Sequence, residues 1–259
     1  MNTMLYKANI RQRILMILLA IMLLIGLTPQ TAFAGAGDIK VIIDFEGYNL
    51  GQGFYIEPTE LTLPVGSTAA DATKALLTKT GHASEGLDSN YLGRVQGFDT
   101  SELNVPSYIT DNGGPTTEDA IAHGKSDSDW LGQMDYSDMS GWMYTVNNDI
   151  ANEGIGDYIL TDGDVIRWQF SLWDFGADLG ISADWFTPYF TMADKSALIR
   201  AICEPDVDTA KANAALDVVI NPLATSEQVT AALDYFVEEV VEPEVITVNA
   251  WAQQDDSGF

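Results

Sequence analysis

From residue 38 to about residue 180, apolar and polar positions alternate with a period of two, the spacing that puts every second side chain of a strand on one buried face. Ile39, Val41, Ile43 and Phe45 fall on one side, and Lys40 and Asp44 on the other. Leu61, Leu63 and Val65 mark a second short strand. After Gly66-Ser67-Thr68 the spacing becomes that of a helix running to about Lys79. Thr68 and Asp71 form a capping pair at its start, the arrangement that satisfies backbone N–H groups the first turn leaves open. Ala72, Ala75, Leu76 and the stem of Lys79 give this helix one face able to cover a sheet. Further strands are expected at 91–96, 141–146 and 158–160, and Asp162-Gly163 is a tight-turn signal leading into the last strand. There Ile166, Trp168, Phe170 and Leu172 alternate with Arg167, Gln169 and Ser171. So clean an alternation predicts a sheet covered on one side and wet on the other.

One helix against four or five strands is the arithmetic of a β-grasp. Two long Gly-, Asp- and Ser-rich loops, 81–90 and 98–140, interrupt the strands, the second with a short helix near 118–123. Loops of this length in a compact domain tend to be functional or mobile. After Pro188 the period turns helical, predicting helices at 194–203, 206–220 and 225–241 with breaks at Pro205 and Asn221-Pro222. In the third, Val229, Ala232, Leu233, Phe236, Val237 and Val240 make one stripe, and Thr225 with Gln228 makes a capping box. The fold class expected is therefore α+β: a β-grasp-like antiparallel or mixed sheet with one main helix (38–182), then a small three-helix bundle (190–242) and an acidic, polar tail (243–259).

The first 34 residues read as an export signal. Lys7, Arg11 and Arg13 precede the apolar run 14–27, and Pro29 and the small-residue site Ala32-Phe33-Ala34 follow it. An apolar run of 14 residues is shorter than the roughly 20 that a bilayer-spanning helix needs. The remaining chain carries nine Lys and Arg against 38 Asp and Glu, a formal charge of −29. Such a field repels phosphate backbones and anionic lipid, so nucleic acid and membrane insertion after leader removal are not expected, while cations and neutral ligands remain open. Cys203 is the single cysteine, which leaves burial rather than disulfides to stabilise the fold.

Sequence offers little for catalysis. No Gly-x-Ser-x-Gly elbow or phosphate-binding glycine loop occurs. Cys203 lies beside apolar Ile199 and Ile202 and reads as packed rather than nucleophilic. His82 and His123 have no His or Cys partner at ligand spacing. Asp127, Asp129, Gly132, Asp135 and Asp138 follow part of a calcium-loop spacing, but Leu131 and the short Asp138 depart from it, so a solvated acidic loop is expected and no metal. Aromatic residues, in contrast, cluster: Trp142, Tyr144, Tyr158, Trp168, Trp173, Trp185 and Phe186. Trp168 belongs on the apolar face of the last strand. Trp142 and Tyr144 share a face opposite Met143, and if that face is the wet one it offers an exposed ring pair to a flat apolar ligand or a partner protein.

The motifs Ser140-Gly141-Trp142-Met143-Tyr144-Thr145-Val146-Asn147-Asn148, Gly156-Asp157-Tyr158, Asp162-Gly163-Asp164-Val165-Ile166 and Asp174-Phe175-Gly176-Ala177-Asp178-Leu179-Gly180 stand in that order. Together they resemble the transcobalamin-like C-terminal domain of bacterial exported proteins, over roughly residues 38–180. That family is similar to the β-domain of transcobalamin and intrinsic factor, where the stretch from Asn152 to Ile159 also has counterparts. There the β-domain closes over a cobalamin held against a helical barrel, and this chain has no such barrel. More loosely, Ala193 to Ile199 and Asn221 to Val229 resemble the found-in-various-architectures helical repeat of wall-associated proteins, which implies a spacer or contact segment.

The resemblance implies a secreted or cell-surface, non-catalytic module that binds a ligand, with Trp142, Tyr144, Asn147, Asn148, Tyr158 and Trp173 as candidate binding residues. No resident cofactor is expected, and cobalamin or another corrinoid is the ligand it suggests. The alternative is a structural or adhesive surface protein whose partner is a cell-surface or host protein.

Overall fold

The computed structural model describes residues 37–236; the segments expected to hold an export signal and a polar tail, and residues 237–241 of the third expected C-terminal helix, lie outside them. The elements run β1 (Asp38–Glu46), β2 (Phe54–Pro64), α1 (Ala69–Thr80), β3 (Ser84–Glu85), β4 (Arg94–Gln96), α2 (Ser107–Thr110), α3 (Thr117–His123), β5 (Trp130–Gly132), β6 (Gly141–Val146), β7 (Asp149–Ile150), β8 (Val165–Ser171), α4 (Ser196–Ile202), α5 (Thr209–Ile220) and α6 (Ser226–Asp234). Five strands form one mixed sheet in the order β2-β1-β8-β6-β7, and β3-β4-β5 form a second, smaller one. The first and last long strands lie side by side and parallel at the centre, with Ile42 opposite Val165 and Glu46 opposite Gln169. With α1 crossing between β2 and the later strands, this is the β-grasp plan of an α+β fold.

Helix α1 starts where the sequence places it. Thr68 Oγ1 accepts from the Asp71 N–H while the Asp71 carboxylate takes the Thr68 N–H, and Gly81 closes the other end in the left-handed region at φ 80°. Its buried face is Ala72, Thr73, Leu76 and Leu77, whereas Lys79 is exposed. Against it lie Val41, Ile43 and Phe45 of β1, Trp142 and Tyr144 of β6, and Trp168 and Phe170 of β8. Trp168 Nε1 donates to Thr73 Oγ1 at 2.9 Å, so the one polar atom of this indole is satisfied inside the core.

The opposite face of the sheet is not wet, which corrects the expectation drawn from the alternation. All seven residues of β8 are buried. Ile42 and Val165 pack against Leu198 and Ile199 of α4, Ala215 and Val219 of α5, and Val229 and Ala232 of α6. The alternation correctly reports which side chains share a face, but it carries no record of what lies over that face. Here the helices cover a polar row. Arg167 grips Glu46 through two hydrogen bonds of 2.7 and 2.9 Å, and Gln169 Nε2 donates to the same carboxylate at 3.2 Å. Lys195, wholly buried, donates through Nζ to the carbonyl oxygens of Val219 (2.8 Å) and Asn221 (2.5 Å), capping the end of α5. Arg200 reaches across to the Gly163 carbonyl at 2.8 Å and Asn147 Oδ1 at 2.6 Å. From Ile39 onward the strands and helices thus form one compact unit.

Two smaller expectations change. Residues 158–160 make only a single bridge, Ile159 to Thr68, and no strand. The long loop 98–140 holds α2, α3 and β5, and β5 pairs with β4 so that Val95 and Leu131 extend the main core.

Candidate functional site

The β6–β7 hairpin turns through Asn147 and Asn148, both left-handed at φ 51° and 69°. A two-residue hairpin requires that conformation at both positions, and Asn tolerates it better than most residues. The Asn147 side chain is fully engaged: its amide nitrogen donates to Asp164 Oδ1, and its oxygen accepts from the Val165 N–H and from Arg200. This turn ties the hairpin to the last strand and to α4.

Trp142 and Tyr144 do share a face, as expected, but it is the α1 face, and they are only 2% and 8% exposed. Trp142 Nε1 donates to the Leu131 carbonyl at 3.0 Å, and its ring meets Phe45 and Phe170 edge-on at 5.3 and 5.2 Å. Neither ring stands out from the surface as a platform. Instead, Trp142, Tyr144 and Trp168 line the inner wall of a cleft of about 160 Å³, whose outer wall is Tyr91 and Trp185, 44% and 54% exposed. Glu153 and Asn90 complete its polar edge.

The loop that closes this cleft is held by a specific fit. Asn90, left-handed at φ 64°, donates to Asp157 Oδ2 at 2.5 Å and accepts from the Gly156 N–H. Gly154 lacks a side chain at the point of closest approach, where a Cβ would fall 2.2 Å from Asn90 Nδ2. Tyr144 Oη then donates to the Glu153 carbonyl at 2.6 Å, fastening the same loop to β6. Burial first, and then Tyr158 and the carboxylates of Glu153 and Asp157, hold the Tyr144 phenol well above its ordinary pKa, so it stays a donor.

The structure therefore brings Trp142 and Tyr144 together and sets Tyr158 behind Tyr144, with ring centroids 6.4 Å apart. It places Asn147, Asn148 and Trp173 elsewhere: the first two in the structural turn, and Trp173 packed against the core with its N–H bonded to Asp178. Sequence reasoning did not assign Tyr91, Asn90 or Glu153 to the site, and it read Trp168 as core alone. Nothing in their local pattern marks them, because the cleft forms where five separate stretches of chain meet.

The cysteine, the histidines and the acidic loop singled out in the sequence take part in packing and hydrogen bonds. Burial pushes the Cys203 thiol up to about 12. His82 Nδ1 is 2.9 Å from the Gln96 carbonyl, and His123 pairs with Asp138 at 3.2 Å, which raises its pKa. In the acidic loop Asp135 accepts from the Ser126 N–H, the Ser126 hydroxyl and the Gly132 N–H, while Leu131 points into the core. Among the described residues no three His, Cys, Asp or Glu converge on one point.

Residues 131–171 match the model of a family described as a domain of unknown function (DUF4430), of the transcobalamin-like group. The matched stretch runs from β5 to β8 and carries Trp142, Tyr144, Glu153 and Trp168, which line the cleft. No curated protein matches the chain.

Proposed function

We propose that this chain is a non-catalytic, exported binding module that receives an apolar ring in the cleft between Trp142, Tyr144, Trp168 and Trp185. The observation that carries this reading is the cleft itself, lined mostly by aromatic and aliphatic side chains, with Trp142, Tyr144 and Trp168 inside the segment that matches the family and Tyr91 and Trp185 outside it. An apolar cavity of about 150 Å³ is large enough for one benzene ring, so a cleft of about 160 Å³ fits one ring and not a macrocycle. A corrinoid, the ligand the resemblance suggests, would have to enter by an edge or a side group, with the rest lying over Tyr91 and Trp185. The leader-like N-terminus and the high negative charge support an extracellular location.

Two measurements on the purified chain test this. Calorimetric titration with indole should give saturable one-to-one binding, weakened about fivefold or more by Trp185→Ala, which removes an exposed wall without touching the core. Passage with cobalamin through a desalting column should carry red colour with the protein. Saturable indole binding with colourless protein would remove the corrinoid and keep the cleft; no indole binding would remove both. That last result would favour a structural or adhesive role, for which the specific observation is Phe175, 60% exposed on a turn where Asp174 and Phe175 are both left-handed.

A further inference from the structure

We infer that the group this cleft selects is a small quaternary ammonium, the head group of a choline-like cation. The inference rests on the reading of this cleft as a binding site and puts a cationic head group where that reading put an apolar ring. Five aromatic residues line the cleft: Tyr91, Trp142, Tyr144, Trp168 and Trp185. A ring presents a negative face, so several rings around one small volume attract a cation that water holds only weakly, and quaternary ammonium groups meet that description. The volume of about 160 Å³ suits a trimethylammonium head as well as a single ring.

The charge pattern separates the two kinds of occupant. Among the described residues, Glu153 is the one charged residue in the lining, and no Lys or Arg contributes to it. Asp157 is held beside the same edge by Asn90. The phenols of Tyr144 and Tyr158 register this field: after burial, carboxylates including Glu153 add to the upward displacement of both. The whole chain, at a formal −26, gathers cations toward its surface. A purely apolar occupant would gain nothing from a carboxylate at the mouth, whereas a fixed positive charge gains from every one of these features. The same field disfavours a choline that carries its phosphate, so the free cation is the source favoured here.

The test is a calorimetric titration of the whole chain with four probes: choline, its uncharged isostere 3,3-dimethylbutan-1-ol, phosphocholine and indole. Choline should bind at least about tenfold more tightly than the isostere and more tightly than phosphocholine, and its binding should weaken as sodium chloride is raised. Glu153→Gln, an exposed position, should narrow the choline-to-isostere ratio. If the isostere equals choline, or Glu153→Gln leaves the ratio where it was, the cation preference is wrong. Phosphocholine binding above choline would overturn the free cation as source. Indole bound and choline not bound would leave the cleft standing and this inference fallen; if no probe binds, both fall together.

Discussion

Lys195 shows how much a single residue records about what covers it. Its side chain is wholly buried, and burial, with Arg167 nearby, pushes its pKa from an ordinary 10.5 down to about 7. Between those two values the unfolded chain holds a proton that the folded chain lacks, so the contribution of this residue to stability rises with pH across that window. Below it both states are charged, and the full cost of burying the ammonium is present. Asp44 and Glu46 on β1, Arg167 on β8 and the carbonyls ending α5 share its surroundings, so the effect is best read as a difference between proteins. The stability of wild type relative to Lys195→Met, from urea unfolding, should climb from pH 7 to 10 by up to about 1.4 kcal/mol per unit. A difference independent of pH would mean that the amine keeps its proton when folded. Nothing in the sequence marked Lys195 as buried, since one lysine near the start of a predicted helix reads as solvated. Trp168, by contrast, was legible as core, because its neighbours on the same strand face are all apolar.

At the scale of elements, the signals that survived are those in which one short stretch satisfies its own backbone. Thr68 with Asp71 and Thr225 with Gln228 were both readable as capping pairs, and both close as capping boxes. Thr116 with Asp119 does the same at the start of α3. Replacing Thr68 with Ala should cost about 1 kcal/mol in urea unfolding, with the unfolding m-value unchanged. A cost near zero would indicate that α1 is fixed by its apolar face alone. Elements that depend on a distant partner were less legible. Residues 158–160 have strand-like character, yet only one bridge forms because their neighbours are the residues leading into α1. β5 was hidden in a loop rich in Asp and Ser, and it exists because Arg94, Val95 and Gln96 offer it an edge.

For the whole molecule, the β-grasp plan and the three later helices were readable from periodicity, but their union was not. Periodicity identifies an apolar stripe on a helix without naming the surface that receives it. Arg167 and Gln169 resembled the solvent side of a sheet because their burial is compensated by Glu46, a pairing that becomes visible only in three dimensions. The cleft was half legible for the same reason: Trp142 and Tyr144 lie in one motif, whereas Tyr91 and Trp185 arrive from separate loops. A chain ended before Ser196 would uncover the Glu46–Arg167 pair and the apolar patch around Ile42 and Val165. Such a truncation should bind the dye ANS and lose near-ultraviolet circular dichroism while retaining strand signal. A truncated protein that unfolds as sharply as the full chain would show that the helices are an independent appendage.

The central pair of strands carries a consequence for how the molecule is made. Glu46 and Arg167, joined at the middle of the sheet, are 121 positions apart, and the intervening chain must be gathered before that contact can form. During synthesis β1 can therefore pair early with β2 on one edge, but its other edge stays open until β8, beginning at Val165, has emerged. The middle of the sheet thus closes late, and the helices that cover it, from Ser196 onward, are made later still.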